Sequence, residues 1–255
     1  MSGEFSETIA REAEKAEWRN RLNSAFKEGR SIYDPEIIET VRRAEFPILV
    51  DYNNVLFGNN ENLGINPEAK DFLATLKQIG EIFVVTTATN WEKIWKRLED
   101  NGLNGSVVLL VIKNYFVPDE EKGKNYKKQI DAYIDKIHGL GLAEEFGLLD
   151  QTDRWAEYQT TPTKGQRLYF SGSASRKRIA PAFGKTFRIP IVDDDTAATV
   201  GNPGIIGFTA RYFEDDPRDF DLVAIERSQA KYPPLSEIAK QITEYKNSLQ
   251  ATGKI

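Results

Sequence analysis

Cysteine is absent from the 255 residues. That removes thiol nucleophiles, disulfides and every zinc site built on thiolates, and it fits a reducing compartment. Histidine occurs once, as His138, so a multi-histidine metal cage is excluded and a Ser-His-Asp triad has little to draw on. No run approaches the ~18 to 20 apolar residues of a membrane-spanning helix. The opening MSGEFSETIAREAEKAEW lacks the basic region and apolar stretch of a secretory signal. The expected address is the cytoplasm, with no membrane partner. A strong positive charge is missing as well: 34 Lys and Arg stand against 39 Asp and Glu, a formal charge of −5, so no nucleic-acid partner is expected. Any catalysis has to run on carboxylates and lysines.

What is present is the composition of a globular chain, 40% hydrophobic and 29% charged, which sets disorder and coiled coil aside. The length suits one large domain or a domain with a small accessory one. Residues 4 to 28 place Phe5, Ile9, Ala13, Ala16, Trp18, Leu22, Ala25 and Phe26 at helical spacing, with Gly29 as a stop. A second short helix follows Pro35. Residues 1–45 thus form a helical extension suited to packing.

From Phe46 onward, short apolar runs alternate with amphipathic segments, the pattern of a parallel sheet covered by helices. The runs are Ile48 to Val50, Ile82 to Val85, Val107 to Ile112, Ile189 to Val192 and Ile205 to Phe208. Helices are expected at Pro67 to Ile79, at Asn90 to Asn101 closed by Gly102, and at Leu235 to Leu249. Residues 113–165 break the rhythm and read as an insertion or small cap, with Tyr126, Ile130, Tyr133, Ile134 and Ile137 on an amphipathic helix. The expected fold is an α/β three-layer sandwich, with a mostly parallel Rossmann-like sheet filling residues 46–255.

Ligands of open parallel sheets bind beyond the carboxyl ends of the strands, and the residues there are distinctive. The first run ends in Asp51, the second in Thr86 and Thr87, the fourth in Asp193, Asp194 and Asp195. Carboxylates converging on one edge repel unless paired or metal-bound, and all-oxygen ligation is what Mg²⁺ prefers. The bland readings are that Asp51 caps a turn, that Lys177 between Arg176 and Arg178 is a solvated run, and that His138 sits at a helix end. Trp91, Trp95, Tyr126 and Tyr133 read as core, and Asp150, Asp153 and Trp155 as loop residues.

ILVDYNNVLF, VVTTAT and IPIVDDD, in that order, resemble motifs I, II and IV of the haloacid dehalogenase (HAD) superfamily of phosphohydrolases over roughly Phe46 to Phe213. The resemblance implies a HAD-like sheet and a phosphatase in which Asp51 attacks phosphorus to form an aspartyl-phosphate. It implies that Thr87 or Thr86 holds a phosphoryl oxygen, with Thr87, Ala88 and Lys177 binding the substrate. It implies Mg²⁺ on Asp51, Asn53, Asp193 and Asp194. Lys177 stands sixteen positions before Asp193, similar to the spacing of the carboxy-terminal-domain phosphatase branch; Lys185 is the competitor for this third motif.

One position departs from the family pattern. Where phosphatase members carry a second Asp, the acid and base of the two half-reactions, this chain has Asn53. An amide cannot transfer that proton, and such assistance is typically worth ~10²- to 10⁴-fold. An attenuated enzyme, a natural pseudoenzyme and a deliberate acid-to-amide change all remain open. The expected partner is a phosphorylated small molecule or protein side chain. The rival expectations are a catalytically inactive HAD-like binding module and C-halogen or C-phosphorus cleavage.

Overall fold

The computed structural model describes residues 2–30, 32, 34–58, 64–86, 91–111, 179–194, 204–210 and 232–255. The expected insertion at 113–165, His138, and the aromatic and acidic residues read within it lie outside these. In chain order the described elements are α1 (Ser2–Lys27), α2 (Pro35–Arg42), β1 (Pro47–Asp51), α3 (Ala69–Ile79), β2 (Glu81–Thr86), α4 (Trp91–Asp100), β3 (Val107–Val111), β4 (Ile189–Asp193), β5 (Ile205–Thr209) and α5 (Leu235–Ala251). Short 3-10 turns at Asn104–Ser106 and Ala180–Phe183 lead into β3 and β4.

The five strands form one all-parallel sheet in the order β3-β2-β1-β4-β5. Every residue of β1 to β4 is buried, which is why their sequences are continuous apolar runs and do not alternate. Alternate side chains still go to opposite faces. Ile48, Val50, Ile82, Val84, Val107 and Leu109 pack against Phe72, Leu73 and Leu76 of α3, Ile94 and Leu98 of α4, and Ile238 and Ile242 of α5. Leu49, Phe83, Val85, Val108, Leu110 and Ile191 meet Leu22 and Phe26 of α1, Ile37 and Val41 of α2, and Phe183. The described residues therefore make an α/β fold of three layers, the sheet between two layers of helices, and the helices of the N-terminal extension supply the second helical layer.

Two helix ends show how local chemistry sets the boundaries. The sequence places Pro67 in the first turn of α3, yet the helix begins at Ala69. Asn66 explains the delay: its Oδ1 accepts from Glu68 N–H at 3.0 Å and its carbonyl from Ala69 N–H at 2.9 Å, an Asx-type turn that occupies the first positions. At the far end of α4, Gly102 adopts φ +69°. Leu103 N–H reaches the Leu98 carbonyl and Gly102 N–H the Glu99 carbonyl, both at 2.8 Å, the two bonds of a Schellman stop.

The outer edge of β3 is closed by side chains. Asn23, on the buried face of α1, donates Nδ2–H to the Val107 carbonyl at 3.0 Å and accepts Leu109 N–H at 2.8 Å. Trp91 Nε1 donates to the Leu109 carbonyl at 3.3 Å. Trp91 is buried and stacks on Trp95 with ring centroids 5.0 Å apart, so both aromatics serve the core, as their spacing suggests.

Candidate functional site

Strand order decides where a ligand site can form. From β1 the chain builds outward to β2 and β3, then returns to the other side of β1 for β4 and β5. The reversal falls between β1 and β4, and the crevice beyond the carboxyl ends of two such strands is the usual binding place of an open parallel sheet. The register pairs Leu49 with Ile191 and Val50 with Val192, so Asp51 and Asp193, each the last residue of its strand, come to the same edge at that reversal.

Asp51 is 3% exposed and Asp193 fully buried; Asp194 is partly exposed. Each offers a carboxylate oxygen to a cluster whose members all lie within 4.8 Å of one another. Three carboxylates so close, two of them cut off from water, repel strongly. A hard divalent cation with oxygen ligands fits that donor set, since it offsets the repulsion and needs no nitrogen or sulfur.

The loop after β1 is fixed from several sides. Tyr52 N–H donates to the Val85 carbonyl, Phe57 N–H to the Tyr52 carbonyl and Asn54 N–H to the Phe57 carbonyl. Asn66 Nδ2 donates to the Val55 carbonyl at 3.0 Å. Val55, Leu56 and Phe57 are buried, so the turn is a packed element of the core. Tyr52 stacks on Phe57 with centroids 4.9 Å apart, and the Arg97 guanidinium lies 4.5 Å from the Phe57 ring centroid. Burial pushes the Tyr52 phenol pKa above its ordinary value, and the nearby Arg97 partly opposes this. Asn53 is half-buried and bridges to Phe57 through the backbone.

Of the residues singled out from the sequence, Asp51, Asn53, Asp193 and Asp194 stand in this region, and Thr86 is buried at the end of β2, opposite Val111. Thr87, Ala88, Asp195 and Lys177 lie outside the described residues. Lys185 is elsewhere. Its Nζ donates to the Arg42 carbonyl at 3.0 Å, and Glu81, the first residue of β2, is one of the charges acting on it. It therefore sits near the opposite, amino-terminal edge of the sheet. Burial lowers the pKa of its ammonium, with Glu81 and Glu45 pulling it partly back. A strand's length thus separates Lys185 from the acidic cluster.

Sequence reasoning passed over Asn54. Its backbone is left-handed, φ 58°, and its Nδ2 donates to Asp194 Oδ2 at 2.7 Å. The available signal was the Asn-Asn pair directly after a strand, because asparagine is among the few residues that adopt this conformation readily.

Comparison with known proteins gives no match: no family model, no curated protein and no solved structure matches the chain.

Proposed function

We propose that the chain is a phosphatase of HAD type, using Mg²⁺ and Asp51 to hydrolyse a phosphomonoester, with its turnover limited by Asn53. The observation that carries this reading is the meeting of Asp51, Asp193 and Asp194 within 4.8 Å at the reversal point of the parallel sheet. Asp51, Asp193, Asp194 and the Asn53 carbonyl would hold the ion. When bound, Mg²⁺ supplies positive charge to the phosphoryl oxygens and the attacking carboxylate.

The chain's own part follows from residue chemistry. A carboxylate is a weak nucleophile but is ionised at neutral pH without a base, and displacement at phosphorus depends mainly on positioning and charge neutralisation. Asp51 would attack phosphorus as the P–O bond to the leaving alcohol breaks. Water would then attack the aspartyl-phosphate, releasing inorganic phosphate and regenerating Asp51. The Thr86 or Thr87 O–H would donate a hydrogen bond to a phosphoryl oxygen, and Lys177 would add a second positive charge; Lys185, near the other edge of the sheet, is set aside for that role. The Asn53 amide, neither acidic nor basic near neutral pH, can neither protonate the leaving group nor take a proton from the attacking water.

Because of Asn53, a second reading stands beside the first: a HAD-like module that binds a phosphorylated partner without turning it over. One experiment separates them. After mixing with Mg²⁺ and an aryl phosphate with a good leaving group, acid-quenched protein is weighed by mass spectrometry. The enzyme reading expects a burst of about one equivalent of product and one added phosphoryl group, absent in Asp51→Asn. Folded protein with neither burst nor adduct supports the binding module.

A further inference from the structure

Asn54 links the two halves of the acidic cluster. The residue is 4% exposed, and its Nδ2 reaches Asp194 across 140 residues of sequence. The left-handed backbone of Asn54, φ 58°, is one that asparagine adopts more readily than most residues, and here that turn allows one side chain from the β1 loop to meet the end of β4. The same amide has a second end. Asn54 Oδ1 is buried and accepts no hydrogen bond among the described residues, an unfavourable state for a buried acceptor.

We propose that Asn54 is a positioning residue for the divalent cation, its Nδ2–H fixing Asp194 toward the ion and its Oδ1 accepting from a water that arrives with it. The inference rests on the metal reading given above. A neutral amide suits both tasks. Lysine at this position would hold Asp194 but compete with the cation, whereas aspartate would lack the donor and repel its neighbour. Asparagine orients a carboxylate while leaving the negative charge of the cluster intact. Asp194, the least buried of the three acids, is the one whose side chain most needs such a restraint.

The test is calorimetric titration of Mg²⁺ into the full chain, Asn54→Gly, Asp194→Asn and the double variant. Glycine tolerates φ 58°, so Asn54→Gly removes the amide and leaves the turn; thermal melting checks the fold, and Asn54→Ala serves as a second variant. Loss of an outer partner of a metal ligand typically weakens affinity 10- to 100-fold, and Asn54→Gly should weaken Mg²⁺ binding by about tenfold. The same change made in Asp194→Asn should matter much less. Unchanged affinity in Asn54→Gly, or fully additive effects in the double variant, overturns the inference while the metal reading survives. No Mg²⁺ binding by the unaltered chain overturns both.

Discussion

Asn23 and Leu109, 86 residues apart, are joined by a hydrogen bond from the Leu109 N–H to the Asn23 side-chain oxygen at 2.8 Å. With the bond from Asn23 Nδ2 to the Val107 carbonyl, one side chain occupies two adjacent ladder positions on the outside of an edge strand. An uncovered edge is a template for pairing with another chain, and the Asn23 amide of α1 caps two of its groups while Trp91 caps the Leu109 carbonyl.

Asn23→Ala should therefore destabilise the protein by roughly 3 kcal/mol, since two buried polar groups lose their partners at ~1 to 3 kcal/mol each. Asn23→Leu, which keeps the side-chain volume, should cost nearly as much. Urea unfolding measures both. Sedimentation should also reveal concentration-dependent association in Asn23→Ala, and a monomer as stable as the parent would sink the idea.

Mg²⁺ should stabilise the folded chain, by about 2.7 kcal/mol at a hundredfold excess over its dissociation constant. Asp193→Asn should melt no lower than the parent in EDTA, because it removes like-charge repulsion from the cluster, and it should lose the Mg²⁺-dependent rise in melting temperature. The same rise in both proteins would argue against Asp193 as a ligand.

Asn53→Asp should raise turnover of an aryl phosphate by on the order of 10²-fold or more, the ordinary worth of a proton donor and acceptor at this step. Asp51→Asn should abolish the activity. An unchanged rate in folded Asn53→Asp favours the binding module.

Two glycines should respond differently to alanine. A Cβ on Gly80 would collide with the Phe46 carbonyl oxygen, although its φ of −169° suits any residue. Backbone against backbone cannot be relieved by a rotamer change, so Gly80→Ala should cost about 3 kcal/mol, the upper range for overpacking. Gly102 has room but a left-handed φ of +69°, and Gly102→Ala should cost about 1 kcal/mol. Thermal or urea unfolding ranks the pair, and the reverse order would refute the steric argument.

The strands β1 to β4 were legible in the sequence because each is buried on both faces and so reads as an unbroken apolar run bounded by polar residues. The helices showed through the spacing of residues such as Phe72, Leu73 and Leu76. The acids at the strand ends pointed to one edge for the same reason: a charge directly after a buried run lies at the mouth of the sheet. Strand order was not legible, since nothing local in Ile189 to Val192 says which neighbour it will choose. The role of α1 was hidden too. A single Asn within an apolar stripe reads as a blemish until the edge it covers is known. Asn54 was masked by its neighbour Asn53, which differs from a family pattern, whereas Asn54 acts through a partner remote in sequence.

The position of β1 between β2 and β4 has a kinetic consequence. β1, β2 and β3 can assemble from a continuous stretch of chain, but Asp51 gains its acidic neighbours only when a segment some 140 residues away closes onto the sheet. Such closure is slow because its entropy is lost before its contacts form. Acquisition of the acidic cluster should therefore be a late event in folding, and an ion held there would slow unfolding more than it speeds refolding.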